Sequence, residues 1–253
     1  SREKKKPLVI LLHSKLGESS AITTILTRNN GIIKGRLGNY YTRRDKGSIQ
    51  PGNIVTIKWR ARLSSQLGNI TINDILKNNS HIIYQPLKLN LLNCLLSLLC
   101  NNLLENDPCF DIFQASHKLL EILADNNFTD KQTLLANYIL FEVKLLNELG
   151  FGMQINKCII CGRPDKLIYI SPKTGNAACL EHGYDYRDKL LTLPQFIVNN
   201  QFGNDILNDN NITPQDIEQG LRLTSFFLEK NLYRPMDKTL PSNREKMLKT
   251  SAE

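Results

Sequence analysis

The sequence predicts an α+β multi-domain chain: an N-terminal five-stranded barrel of OB-fold type, a mainly α-helical body and a zinc-ribbon-like insert. Three observations predict it. Short β-branched runs fill residues 7–75. From about residue 80 the apolar period changes to three and four. Two knuckles, Cys158-Ile159-Ile160-Cys161 and Cys179-Leu180-Glu181-His182, stand about 17 residues apart.

The strand-like runs are Pro7–Leu12, Ala21–Thr27, Gly31–Arg36, Ile54–Trp59 and Asn69–Ile72, separated by turn signals such as Asn29-Asn30-Gly31 and Gln50-Pro51-Gly52-Asn53. Five strands in so short a stretch suit a small closed barrel. The OB-fold is the commonest five-stranded choice, and an SH3-like barrel is its competitor. Helical periods follow over Leu87–Leu104, Asp111–Ala124 and Asp130–Leu149, the last stopped by Gly150. Thr213-Pro214-Gln215-Asp216 has the form of an N-cap with proline at the first helical position, opening a helix to about Leu232. The expected division is a barrel domain over 1–78, a helical domain over 79–153 and 190–253, and the insert over 154–189.

The paired knuckles predict a metal centre with Cys158, Cys161, Cys179 and His182 as ligands. A C-x2-C turn places two thiolates where one cation holds both, and the segment Leu167–Gly175 between the knuckles has the pattern of a short strand running into a turn. Four protein ligands leave no open position for water, so zinc here would be one structural ion and not a catalyst. The alternative is a pair of half-buried thiols beside a surface histidine. Cys94, Cys100 and Cys109 lie in or beside a leucine-rich helical stretch and have the pattern of small buried apolar residues in a reduced, cytoplasmic protein.

Net charge is +8, and its placement matters more than its size. Residues 1–75 hold fourteen Lys and Arg against four Asp and Glu, so the whole basic excess belongs to the barrel segment. Lys34, Arg36, Arg43, Arg44 and Lys46 crowd one strand end and loop with Tyr40 and Tyr41 between them, while Lys58, Arg60 and Arg62 alternate along a strand and share a face. Cations neutralise phosphates and interleaved aromatics stack on unpaired bases, which is the chemistry of single-strand binding. The bland reading is a solvated basic surface. Trp59 has the opposite parity to its basic neighbours and is expected inside the barrel.

Other classes are set aside. Lys4-Lys5-Lys6 is followed by too few apolar residues for a secretory signal, and the Leu87–Leu104 run is broken by Lys88, Asn90, Asn93, Asn101 and Asn102, so no membrane association is expected. No phosphate-loop, dinucleotide-binding or Ser/His/Asp pattern occurs, and no catalytic residues are expected; His13, His81 and His117 are scattered.

Several motifs in one order resemble the recombination mediator RecO family, particularly its alphaproteobacterial members. They are Leu16-Gly17-Glu18-Ser19-Ser20, Gln50-Pro51-Gly52-Asn53, Trp59-Arg60-Ala61-Arg62-Leu63 and Leu67-Gly68 in the barrel. Further on come Leu145-Leu146-Asn147-Glu148-Leu149-Gly150-Phe151, Tyr169-Ile170-Ser171-Pro172-Lys173-Thr174-Gly175, Tyr186-Arg187-Asp188-Lys189-Leu190-Leu191, Leu193-Pro194 and Leu221-Arg222-Leu223-Thr224. The resemblance implies an OB-fold that binds single- and double-stranded DNA, a helical body, and a zinc-finger insert that some relatives have lost. It implies a non-enzymatic DNA repair and recombination mediator. Such a protein anneals single-stranded DNA and, with RecR, helps load RecA onto DNA covered by single-stranded DNA-binding protein (SSB). The family also docks the SSB C-terminal tail on its helical body; Lys131, Lys144 and Arg222 lie on helices there, where surface cations are usually only solvated. His182 stands in place of the family's last zinc cysteine, and the basic loop between Lys34 and Gln50 is longer than usual. The barrel and charge by themselves suit an RNA-binding protein of translation or RNA processing equally well.

Overall fold

The computed structural model describes residues 8–16, 21–37, 50–60, 67–200, 207 and 211–250. They fall into two compact units, 1–124 and 125–253.

In the first unit the barrel strands are β1 (Leu8–Leu16), β2 (Ala21–Thr27), β3 (Gly31–Leu37), β4 (Ile54–Arg60) and β5 (Gly68–Lys77). They close in the order β1-β2-β3-β5-β4, with β1 pairing back onto β4. The β3–β5 contact is parallel and the other pairs are antiparallel, which is the five-stranded Greek-key closure of an OB-fold. Period-2 alternation fills the interior with Leu11, Ala21, Ile25, Ile33, Leu37, Val55, Ile57, Ile70 and Ile72. Trp59 packs against this core as its parity requires. The indole leaves no room for a side chain at residue 68: a Cβ on Gly68 would meet Trp59 Nε1 at 2.3 Å. β5 continues five residues beyond the expected Ile72, and its last five residues are exposed.

Buried amides seal the barrel exit. Asn79 donates its backbone N–H to Asn53 Oδ1 at 2.8 Å and its side-chain Nδ2 to the Gly52 carbonyl at 2.8 Å. Helix α1 (Pro86–Asn102) begins with proline in its first turn and buries Leu91, Leu92, Leu95, Leu96, Leu98 and Leu99, and helix α2 (Phe110–Ala124) packs against it. Cys94 is fully buried here; Cys100 and Cys109 are only half-buried, and loss of solvation pushes both thiols up to about 11.

In the second unit, α3 (Lys131–Leu146) starts at Asp130, whose carboxylate accepts from the Thr133 N–H at 2.7 Å. A π-turn over Asn147–Phe151 ends it, with Gly150 at φ +85°, the left-handed stop that glycine supplies. A three-stranded sheet of β6 (Leu167–Ile170), β7 (Ala177–Cys179) and β8 (Leu191–Thr192) follows in the order β7-β6-β8, with the one-turn helix α4 (Leu180–Gly183) after β7 and α5 (Gln195–Asn199) after β8. Helix α6 (Pro214–Leu228) opens with a reciprocal capping box: Asp216 N–H donates to Thr213 Oγ1 and Thr213 N–H to Asp216 Oδ2.

The last helix, α7 (Ser242–Thr250), is tied to this unit by buried charge. Arg244 donates Nε to Glu142 Oε1 at 2.6 Å and Nη2 to Glu142 Oε2 at 2.9 Å, and Thr224 Oγ1 donates to the same carboxylate at 2.5 Å. Both charged side chains are fully buried, so each is tolerated only because the other is present. Among the described residues no helix is long and apolar enough to cross a membrane.

Candidate nucleic-acid interface and metal centre

The outward face of the barrel is assembled by register. Arg36 on β3 pairs with Asn69 on β5, and Asn69 pairs in turn with Arg60 on β4. One row across three strands therefore reads Arg36–Asn69–Arg60, and all three residues are exposed. Two strand spacings put the arginine backbones roughly 10 Å apart. In the next row Lys58 pairs with Thr71, again both exposed. The strands thus hold three cations and two hydrogen-bonding side chains on one surface, while Ile57, Trp59 and Ile70 pack inward behind them.

Lys34, on the same strand as Arg36, is exposed but engaged: its Nζ lies 2.5 Å from Glu105 Oε1. The segment after α1 brings Glu105 there, where it bridges to Ile32 and the Asn106 N–H donates to the Ile32 carbonyl at 2.9 Å. Of the expected nucleic-acid contacts, Tyr40, Tyr41, Arg43, Arg44, Lys46 and Arg62 lie outside the described residues. Asn69 and Thr71 were missed by sequence reasoning, although their alternation with Ile70 and Ile72 places them outward; no sequence signal couples Glu105 to Lys34. In the helical body Lys131 is exposed, Lys144 pairs with Glu148 at 2.6 Å, and Arg222 pairs with Glu218 at 2.6 Å.

The second site is in the second unit. The first knuckle is a tight turn in which the Cys158 N–H donates to the Arg163 carbonyl and the Gly162 N–H donates to the Cys158 carbonyl. Gly162 adopts φ +73°, a conformation that side chains disfavour. The Ile159 N–H donates to the Ala177 carbonyl at 2.9 Å, which fixes this turn against β7. β7 then ends at Cys179, opposite Leu167 in the hairpin, and α4 carries His182 back toward the same point.

The Sγ atoms of Cys158, Cys161 and Cys179 and a ring nitrogen of His182 all lie within 4.8 Å of one another. Cys161 Sγ and Cys179 Sγ are 3.9 Å apart, and Cys179 Sγ is 3.2 Å from His182 Nδ1. A tetrahedral zinc with ordinary bond lengths gives edges of about 3.8 Å between sulfurs and about 3.5 Å between sulfur and nitrogen. The four residues thus fit a metal ion in number, donor type and spacing. Burial by itself would push the Cys158 thiol up; hydrogen bonds to its sulfur from the Cys161, Cys179 and Ile160 backbones outweigh that and bring it down to about 6. Backbone dipoles therefore prepare this thiol for the thiolate form that a metal requires.

Arg163, beside the first knuckle, was not anticipated. Its guanidinium Nη2 lies 2.5 Å from Glu181 Oε2. The neighbouring Cys161 sulfur and the Glu181 carboxylate push its already high pKa further up.

Comparison with known proteins finds similarity over nearly the whole chain. The family model described as recombination protein O N terminal matches residues 2–79, and that described as recombination protein O C terminal matches residues 84–240. A DNA repair protein RecO of Bartonella quintana is 34% identical over 244 residues, covering 96% of this chain and 95% of the relative. The DNA repair protein RecO of Hyphomonas neptunium is 31% identical, covering 95% of each chain. That of Caulobacter vibrioides strain NA1000 is 32% identical, covering 94% of this chain and 92% of the relative. With both family models matched in order and relatives of this identity spanning nearly its full length, the chain belongs to the RecO family of recombination proteins.

Proposed function

We propose that the chain is a DNA repair and homologous recombination mediator that binds and anneals single-stranded DNA and, with RecR, helps load RecA onto SSB-coated DNA. The observation that carries the reading is the exposed Arg36–Asn69–Arg60 row with Lys58 beside it, on the OB-fold barrel of a RecO-family chain. The barrel over 1–78 is the DNA-binding domain. Lys34 and the basic segment with Tyr40, Tyr41, Arg43, Arg44, Lys46 and Arg62 extend its footprint. The helical body carries the contact with the SSB C-terminal tail, and the protein works in the bacterial cytoplasm at the nucleoid.

Annealing needs no general acid, nucleophile or nucleotide. Complementary strands repel through their phosphates; a surface that neutralises those charges raises the local concentration of the second strand, and base pairing supplies the free energy. The protein therefore acts without being an enzyme. The metal is read as one zinc ion, held by Cys158, Cys161, Cys179 and His182 in a closed structural site.

The test is the rate at which two complementary DNA strands, each precoated with cognate SSB, anneal with and without the protein at low and moderate salt. Salt-sensitive acceleration in the absence of nucleotide is expected. No acceleration, with binding retained only for RNA, overturns the reading in favour of an RNA-binding barrel.

A further inference from the structure

We propose that Arg163 is a positioning residue of the metal centre: one guanidinium that holds the two ligand-bearing knuckles together and neutralises the excess negative charge of the loaded site. The inference rests on the zinc reading above.

Three observations carry it. The backbone carbonyl of Arg163 accepts the Cys158 N–H at 2.8 Å, so this residue closes the first knuckle. Its guanidinium acts electrostatically on the Cys161 sulfur, a ligand of that knuckle. The same guanidinium lies 2.5 Å from Glu181 Oε2, and Glu181 sits between the ligands Cys179 and His182 in the second knuckle. One residue thus touches both halves of the site, adding a side-chain link to the β6–β7 hairpin and to the Ile159 N–H bond to the Ala177 carbonyl.

Charge gives the second part of the argument. Three thiolates and a neutral imidazole around a divalent cation leave a net charge of minus one. Cys158 and Cys179 are buried, whereas Cys161 is exposed, so the excess charge is most open to attack at the Cys161 sulfur. A guanidinium beside that sulfur offsets charge where it is most reactive. A planar fork serves this role better than an ammonium, because it reaches a sulfur and a carboxylate at once. Side chains that support metal ligands are commonly worth 10- to 100-fold in metal affinity. Arg163 and Glu181 are both solvent-exposed, 53% and 69% for their side chains, which places the effect near the low end of that range.

The test uses the full-length chain as wild type, R163A, R163K and E181Q. Zinc content is measured by elemental analysis, and zinc release is followed with a chromogenic chelator in excess. Wild type is expected to hold one zinc per chain, R163A to release it about tenfold faster, R163K to recover part of the loss, and E181Q to fall between wild type and R163A. Cobalt-loaded protein supplies the readout that a merely structural role does not move. R163A should shift the sulfur-to-cobalt charge-transfer band to lower energy while the tetrahedral d–d bands persist, because the thiolate loses its cationic neighbour but the ligand set does not change. One zinc per wild-type chain, with release and charge-transfer energy unaltered in R163A, overturns this inference alone. A wild-type chain that holds no zinc overturns the metal reading and this inference with it.

Discussion

Removing Arg36, Lys58 and Arg60 from the barrel face in one variant, R36A/K58A/R60A, isolates their part in DNA binding. All three side chains are exposed, and the residues that fill the barrel between them, Ile57, Trp59 and Ile70, are untouched, so stability should change by only about 0.5 kcal/mol per site. Each cation that neutralises a phosphate contributes roughly 0.7 to the slope of log affinity against log salt on single strands. Three such contacts amount to a slope shallower by about 2. Between 50 and 200 mM salt, wild type should lose roughly 15- to 20-fold more affinity than the variant does. Fluorescence anisotropy with a labelled oligonucleotide across that salt range measures the slope directly. Asn69, between the two arginines, is uncharged, so N69A should weaken binding while leaving the slope as it is. A triple variant with native melting behaviour and a wild-type slope would remove this face from the footprint.

Three further outcomes follow from other parts of the molecule. E105Q frees Lys34 from its ion pair and should steepen the single-strand salt slope by about 0.7; an unchanged slope places Lys34 outside the phosphate track. C158S, or prolonged chelation, should lower the melting temperature of the second unit by at least about 5 °C while DNA affinity stays within about twofold, and the reverse order of effects in a melting and binding comparison would make the metal centre part of the DNA site. R244M leaves the Glu142 carboxylate buried without its cation and should cost about 3–5 kcal/mol in urea denaturation, with most of the loss recovered in E142L/R244M; equal destabilisation in both variants would mean that packing, not charge, dominates at this site.

The strands, helices and ligands could be located from local chemistry. Alternation placed Trp59 inward and Lys58 and Arg60 outward, and the structure agrees. Thr213 through Asp216 announced the start of α6, because a cap is contained within a few residues; Gly150 was expected to stop a helix running to Leu149, whereas α3 ends at Leu146 and Gly150 supplies the left-handed residue of the π-turn that follows. The exit of β5 was harder to read: its last five residues are all exposed and carry no alternation, and the pairing of Asp74, Ile75 and Lys77 with β4 extends the strand. The expectation of buried cysteines held for Cys94, whereas Cys100 and Cys109 sit at edges of the packing that periodicity does not resolve.

By itself, the sequence determined which residues alternate, where helices are capped, which side chains can ligate a metal, and that the positive charge is concentrated in the first third of the chain. Each of these depends on residues close together along the chain. Tertiary structure decided what faces what. Closure through a parallel β3–β5 pair puts Arg36 and Arg60 on either side of Asn69. The return of the chain after α1 gives Lys34 an acidic partner 71 residues away, and the folding of β6 onto β7 brings Arg163 to Glu181. Register and ion pairing between distant segments depend on the packing of both, and a local pattern contains only one side of each contact.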